Sequence, residues 1–400
     1  MNKIKHIFLF GFISLFALVS CDDDGDGEGT NGGTNNATDI ITKSGEITAD
    51  ETWTSDNIYR LDGRVTVTGG ATLTIEPGTV IKANPGTGSF ASALLISREG
   101  KINAAGTADA PIIFTAISDD LEPGEIASPN LDPANNGLWG GVIILGKAPI
   151  SASGDVVELQ IEGIPTSDAN GLYGGTQDDH NSGVFKYVSI RHGGSNIGQG
   201  NEINGLTMGG VGTATEINHV EVVANQDDGL EWFGGSVSVD HILVWNNGDD
   251  ALDCDQDWTG TADNFIVVNP GDRAMELDGP EGNQDRSPNY TITNGTVYMA
   301  NGQELINVDD NTDVNVSNTY FYGLNSSQVC DGFAGNSIAN ISNLEVTLPA
   351  GRSIADVFVD IDPNEVSEVG ENQNTVGVTA ATDYNWTWAA TSNALNGIGL

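Results

Sequence analysis

The stretch Ile217-Asn-His-Val-Glu-Val-Val-Ala-Asn225 decides the fold, because versions of it return along the chain at a nearly constant step. Two similar copies are Val239-Asp-His-Ile-Leu-Val-Trp-Asn-Asn247 and Ala262-Asp-Asn-Phe-Ile-Val-Val-Asn-Pro270. Each copy has His or Asn at its third position, and these marker residues are His219, His241, Asn264, Asn294, Asn318 and Asn343. The markers are 22, 23, 30, 24 and 25 residues apart. A β-rich repeat of this period predicts a solenoid in which each coil packs on the next.

Strand alternation divides the residues after each marker into two sets. The first and third residues are predicted to face the core, and they are Val220, Val222, Ile242, Val244, Phe265 and Val267. The second and fourth residues are predicted to face outward, as an apolar stripe that includes the aromatic residues Trp245, Tyr298, Tyr320 and Tyr322. This stripe is either a platform for a glycan or protein partner, or a surface covered by a loop such as 118–136 or 164–183.

Carboxylates also recur at equal distances after the markers. The columns are Asp227/Asp249/Asp272, Asp228/Asp250/Arg273 and Glu231/Asp253/Glu276. Carboxylates stacked about 4.8 Å apart repel one another, so they must gain protons, bind cations or turn into water. Two interpretations stay open: the acids only complete turns, or some of them bind Ca²⁺. The predicted Ca²⁺ ligands are Asp227, Asp228, Asp249, Asp250, Asp253 and Asp272.

A second repeat precedes the first along the chain. Residues 71–83, 92–104 and 140–152 align without a gap and predict that Leu73, Leu94 and Val142 stack on one another. No long helical period competes, so we predict an all-β protein, a right-handed parallel β-helix with coils of about 21–25 residues. Residues 40–65 and those after 350 are predicted to cap its two ends, with residues 383–388 as an aromatic plug for the last coil.

The N-terminus has the features of an export signal. Lys3 and Lys5 precede an apolar run that ends in Leu18-Val-Ser-Cys21, which resembles the lipobox of bacterial lipoproteins. We therefore predict a signal peptide over 1–20, a lipid on Cys21, an acidic Gly- and Asn-rich tether over 21–39, and one β-helix domain over 40–400.

The mature chain is strongly acidic. It would keep 12 basic and 56 acidic side chains, a formal charge of −44. This charge argues against nucleic acid as a partner and favours divalent cations. Cys254 and Cys330 lie three coils apart, too far for a disulfide, and are predicted to be buried thiols.

Three stretches resemble a family of surface-exposed β-helix lipoproteins of Bacteroidota, which have the pectin-lyase-like fold. They are Gly137-Leu-Trp-Gly-Gly-Val-Ile-Ile-Leu-Gly-Lys-Ala-Pro-Ile-Ser151, Tyr187-Val-Ser-Ile-Arg-His-Gly-Gly194 and Asp227-Asp-Gly-Leu-Glu-Trp-Phe-Gly-Gly235. The resemblance implies an outer-membrane location, with the domain facing the cell exterior, and no established activity. We expect a lipid-anchored module that binds an extracellular glycan or an envelope partner, with Ca²⁺ as its expected ion.

The alternative is a Ca²⁺-dependent polysaccharide lyase or another glycan-active enzyme of this fold. In a lyase, Ca²⁺ would acidify the proton beside a uronate carboxylate, and Arg273 or Arg191 would remove that proton. An Arg base needs a strong perturbation, because its reference pKa is above roughly 12. The polygalacturonase pattern is also incomplete: 225–227 and 248–250 resemble its first carboxylate motifs, but its Gly-His-Gly and Arg-x-Lys are absent. A binding module is therefore favoured over an enzyme.

Overall fold

The computed structural model describes residues 39–196, 203–283, 286, 290–333 and 338–400, which form a parallel β-helix. The predicted signal peptide, Cys21 and the tether up to residue 38 lie outside the described residues. In the described part of the chain, 25 strands form one continuous sheet that coils around the core. None of the helices within those ranges is long and apolar enough to span a membrane. The predicted fold class is confirmed.

Most strands are short, and the α-helices of the described residues lie within the last 47 residues of the chain. The strands are β1 Asp39–Ile47, β2 Glu51–Trp53, β3 Asn57–Val67, β4 Thr72–Ile75, β5 Val80–Ala83, β6 Leu94–Ile96, β7 Lys101–Ala105, β8 Ile112–Ala116, β9 Val142–Leu145, β10 Leu159–Gln160, β11 Leu172–Tyr173, β12 Gly183–Arg191, β13 Leu206–Gly209, β14 Glu216–Val223, β15 Leu230–Phe233, β16 Val239–Trp245, β17 Leu252–Asp255, β18 Thr261–Val268, β19 Arg273–Leu277, β20 Tyr290–Tyr298, β21 Glu304–Val308, β22 Val314–Ser317, β23 Tyr320–Tyr322, β24 Val329–Cys330, β25 Asn340–Ser342, β26 Leu344–Val346 and β27 Val366–Glu368. The α-helices are α1 Ile354–Val357, α2 Trp388–Thr391 and α3 Ala394–Gly397.

The sheet bends into three faces. The first face is formed by the C-terminal halves of β12, β14, β16, β18 and β20 and continues through β23 and β26. We name it the strap face, because the C-terminal residues 372–400 lie across it. Strands β13, β15, β17, β19 and β21 form the acid face. The N-terminal halves of the long strands form the third face, which continues through β22 and β25.

The marker residues form the corner between the third face and the strap face. All six markers, and Tyr187 one coil earlier, have φ between 49° and 57°. This left-handed conformation is tolerated best by Gly, Asn, Asp and His, which explains the residue type of the repeat. Successive corners stack: the ring centroids of His219 lie 4.1 Å from Tyr187 and 4.3 Å from His241. The marker column is therefore a ladder of turns.

The core is built as the alternation predicts. The first and third residues after the markers are fully buried, as are Leu252, Cys254 and Met275 on the acid face. Cys254 and Cys330 are free and buried, as predicted. The hydrophobic stacking of equivalent residues along the axis is what holds one coil on the next.

The register predicted for the first half is partly wrong. Leu94 does pair with Val142, but Leu73 pairs with Ile102. Residues 71–83 run from the third face to the strap face, whereas residues 92–104 run from the acid face to the third face. Both segments have the same apolar alternation on either side of a glycine turn, so periodicity cannot distinguish the faces.

The ends are closed partly as predicted, since residues after 350 do complete the C-terminal end. Residues 40–65 are the first coil itself, and Trp53 stacks on Tyr59 at 4.9 Å to close the core there. At the other end, Phe358 and Val366 beside α1 and in β27 complete the core. Residues 383–388 do not plug this end but lie over the middle coils.

Candidate functional site

The aromatic stripe is covered by the last segment of the chain, residues 372–400, which we name the strap. Trp245 is 7% exposed, Tyr320 is 1% exposed and Tyr322 is 0% exposed, while Tyr298 is half-buried. These outward side chains pack with Tyr384 and Trp388 of the strap or bond to its backbone. The expectation of an open platform at these four aromatic residues is therefore wrong, because a continuous apolar surface over many coils is stabilised by a cover.

Of the two loops that were expected to cover the stripe, the loop 164–183 bonds to the first coils, through Asp168 to Arg64 and Asn170 to Thr68. The loop 118–136 covers the same outward column, but in coils that precede the four aromatic residues. Leu121, in the loop 118–136, packs on Ile58, Val80 and Ile113 of earlier coils. The strap provides the cover because it returns along the strap face after the last coil.

Arg191 lies under the strap and is inaccessible to a polymer. Its Nε donates to Ser189 Oγ at 2.8 Å, and its guanidinium carbon is 5.0 Å from the Trp388 ring centroid. Burial lowers the pKa of Arg191, which is the direction that a base requires. Its side chain is nevertheless fully buried, so the structure contradicts its assignment as the base of a lyase.

Asp228 and Asp250 complete the turns between the strap face and the acid face. Asp228 Oδ1 accepts a hydrogen bond from the Asp250 N–H at 2.9 Å, and Asp250 Oδ1 accepts one from the Arg273 N–H at 2.7 Å. Asn204, one coil earlier, accepts from the Asp228 N–H at 3.2 Å. The turn interpretation therefore accounts for one oxygen of each carboxylate in this column.

Asn204 is a member of this ladder that the sequence analysis missed. Its context, Asn204-Gly-Leu206, aligns with Asp228-Gly-Leu230 of the next coil. That match was the available signal, and it was hidden because Asn replaces the acid.

Arg273 is surrounded by acids. Its Nη1 lies 3.1 Å from Asp250, 3.3 Å from Glu276 and 3.5 Å from Asp272, and its Nε lies 3.1 Å from Glu304. Partial burial lowers the pKa of Arg273, but Asp250, Glu276 and the other acids outweigh this effect and raise it above its usual value. The guanidinium therefore stays protonated, which contradicts a role for Arg273 as a lyase base.

Three carboxylates on the acid face form a compact group, which we name the carboxylate triad: Asp228, Glu231 and Asp253. One oxygen of each lies within 4.8 Å of the others. Asp228 and Glu231 are buried, and Asp253 Oδ1 has no hydrogen-bond partner among the described residues. Burial, followed by repulsion from neighbouring carboxylates, raises the pKa of all three. The triad is thus deficient in positive charge.

The six predicted Ca²⁺ ligands fall into different groups of carboxylates rather than one site. Asp228 and Asp253 belong to the triad, together with Glu231, which was not predicted as a ligand. Asp227 and Asp249 also lie close to Asp228. Asp249, Asp250 and Asp272 form a further group, but Arg273 already supplies a positive charge to Asp250 and Asp272.

Neighbouring acids on this face retain protons near neutral pH. Burial raises the pKa of Asp250 to about 8 and those of Asp255 and Asp278 to about 7. The Asp255 and Asp278 side chains are hydrogen-bonded to each other, and Asp250 is hydrogen-bonded to Glu276. Perturbed carboxyl groups gathered on one surface are typical of a functional site.

The chain belongs to the pectate-lyase-like β-helix domain family, whose family model matches residues 45–393. The match includes the coils, the acid face and most of the strap. No curated protein and no solved structure gives a significant match.

Proposed function

We propose that the protein is a cell-surface binding module whose acid face carries Ca²⁺ and binds an extracellular glycan through that ion. The observation that supports the proposal is the carboxylate triad. Two oxygens on opposite sides of a Ca²⁺ ion, each about 2.4 Å from it, are about 4.8 Å apart. The triad oxygens lie within 4.8 Å of one another, so they can reach one ion.

The chemistry of the triad favours Ca²⁺ over a transition metal. Calcium accepts six to eight oxygen ligands in a flexible geometry, whereas Zn²⁺ prefers His and Cys. The triad offers only carboxylates, and Asn204 Nδ2 donates to Glu231 and orients it. A bound cation would replace the protons that burial now favours on these groups.

A glycan is the proposed partner because the ion can mediate its binding. Hydroxyl or carboxylate oxygens of a sugar could complete the coordination of a Ca²⁺ ion at the outer edge of the triad, where Asp253 is partly exposed. The membership of the β-helix family is consistent with a glycan-related function. The predicted lipid on Cys21 would hold the β-helix domain at the outer membrane, on the exterior side.

The ion is tested by thermal unfolding of the mature protein in a chelator and in excess Ca²⁺. A hundredfold excess over Kd stabilises by about 2.7 kcal/mol, which raises Tm by roughly 3–4 °C for a domain of this size. We expect the variant Glu231→Gln/Asp253→Asn to lose most of this shift. Glu216→Gln, an exposed acid on β14, is the matched control and should keep it. A wild-type Tm that is the same in chelator and in excess Ca²⁺ would refute the proposed Ca²⁺ site.

The glycan is tested separately on an array of acidic and neutral polysaccharides, with Ca²⁺ or chelator present. Binding that needs Ca²⁺ and is lost in Glu231→Gln/Asp253→Asn supports the proposal, and Ca²⁺-independent or absent binding counts against it. The same incubations report the enzymatic alternative, because a lyase releases unsaturated uronates that absorb in the ultraviolet.

A further inference from the structure

The strap runs back along the solenoid instead of extending it. It leaves the last coil beside β26 and reaches β12, seven consecutive strands of the described strap face. At about 4.8 Å per coil, this distance is roughly 29 Å. In chain order its contacts pair Thr375 with Glu345, Val378 with Thr296, Asp383 with His241, Tyr384 with Asn264, Trp386 with Tyr187, and Trp388 with Glu221.

The far end of the strap is held by Glu221. This carboxylate is fully buried and accepts hydrogen bonds from the Trp388 N–H at 3.1 Å, the Ala389 N–H at 2.9 Å and Ser189 Oγ at 2.6 Å. Hydrogen bonds to an ionised group are stronger than those between neutral groups. The Trp388 ring also lies over the guanidinium of Arg191.

Glu221 in β14 and Glu345 in β26 are equivalent outward residues of the repeat, and both accept hydrogen bonds from the strap. The equivalent outward residues in the two coils after β14 are Leu243 and Ile266, both buried under the strap. A buried carboxylate beside these apolar residues costs free energy unless its hydrogen bonds are satisfied. The strap backbone donates two of these hydrogen bonds, while Ser189 Oγ donates a third and the buried guanidinium of Arg191 lies 3.7 Å away, so Glu221 links the strap to β12.

Coils of a solenoid normally interact only with their nearest neighbours, so its stability is close to a sum of neighbouring terms. End coils can then open without disturbing distant ones. A segment attached both to β26 and to β12 alters this, because opening of the last coils must pull the strap from its anchor. We infer that the strap joins these seven coils into one cooperative unit, with Glu221 as its anchor.

The inference is tested by hydrogen exchange measured by mass spectrometry on the mature chain, in wild type, Glu221→Gln and Trp388→Ala. Loss of charge-assisted bonds should speed exchange by roughly tenfold or more. We expect this increase in β20, β23 and β26, which lie at least three coils from Glu221, as well as near the substitution. Glu216→Gln, on the same strand but exposed, is the control and should leave these strands unchanged.

An increase confined to β12, β14, β16 and the strap would show a merely local contact and overturn the inference. Unchanged exchange in both variants would also overturn it. Trp388→Ala uncovers the apolar stripe and could therefore aggregate. In that case the exchange rates of Glu221→Gln alone test the inference, because Gln retains the shape of the Glu side chain. Its urea unfolding should then lose cooperativity, with a lower m-value than the control variant.

Discussion

In a chelating buffer, raising the pH from 7 to 8.5 is expected to destabilise the protein. The groups responsible are Asp250, Asp255 and Asp278, whose pKa values burial raises to about 8, about 7 and about 7. In the unfolded chain these carboxyls titrate near 3.8, so they are fully ionised throughout the window. The folded state therefore binds more protons, and its stability falls as the pH rises through the folded pKa values.

The size of the effect follows from the number of protons. We count one proton for Asp250 and one for the hydrogen-bonded pair of Asp255 and Asp278, because the pair shares a proton and Asp278 is partly exposed. At about 1.4 kcal/mol per proton and pH unit, titration from pH 7 to 8.5 removes about 1.5 kcal/mol. The triad carboxylates, whose pKa values are also raised, act in the same direction.

Histidines oppose this trend only at lower pH. Burial lowers the pKa of His180, His192 and His219 below 6.5, so they are neutral in the folded state. Above pH 7 they are largely neutral in the unfolded state too, so they do not oppose the acids in this window. The buried thiols of Cys254 and Cys330, whose pKa values burial raises, add a smaller loss of stability in the same direction.

The assay is urea unfolding followed by tryptophan fluorescence at pH 7, 7.75 and 8.5 in EDTA. Asp250→Asn/Asp255→Asn should lose more than half of the pH dependence, since Asn keeps a carbonyl acceptor but does not titrate. The exposed acids Asp109 and Glu368 provide the control, and the variant Asp109→Asn/Glu368→Gln should keep the full pH dependence of the free energy of unfolding. A free energy of unfolding that is constant or rises over this range in the wild type would refute the reasoning.

Two further substitutions test the coil itself, both by urea midpoint. Gly295 faces the core, and a Cβ there would come within 1.8 Å of the Phe265 ring. Gly295→Ala should therefore cost about 1–3 kcal/mol, whereas Gly397→Ala, in open space, should cost nothing; equal stability of the two variants would contradict the packing. Asn264 has φ of 52°, so Asn264→Val should cost roughly 1–2 kcal/mol more than Asn264→Gly. A valine variant as stable as the glycine variant would show that this corner is not strained.

The inward half of the fold was predictable because alternation is a local property. Val220, Ile242 and Phe265 face the core, as their positions after the marker indicate. The left-handed corner at each marker was not predicted, and it explains afterwards why the repeat has Asn or His at this position. The assignment of Leu73 and Leu94 to one stack failed because two faces share one local pattern.

The candidate site was predictable only as a set of columns. Equal spacing indicated that Asp228, Asp250 and Arg273 lie above one another, and the backbone bonds between them agree. The columns indicated that Arg273 lies beside Asp250 and Asp272, but they did not indicate that Glu276 and Glu304 would also pair with it, because that depends on side-chain direction.

The repeat by itself determined a parallel β-helix, its inward columns and the presence of two outward surfaces, one apolar and one acidic. Only the tertiary structure decided that the apolar surface is covered by residues 372–400 and that the acidic surface remains the candidate site. The reason is separation along the chain: Trp388 meets Glu221 across 167 residues, and no period relates them. Repeats report contacts between neighbouring coils, whereas a segment that crosses many coils is placed by the surface that it buries.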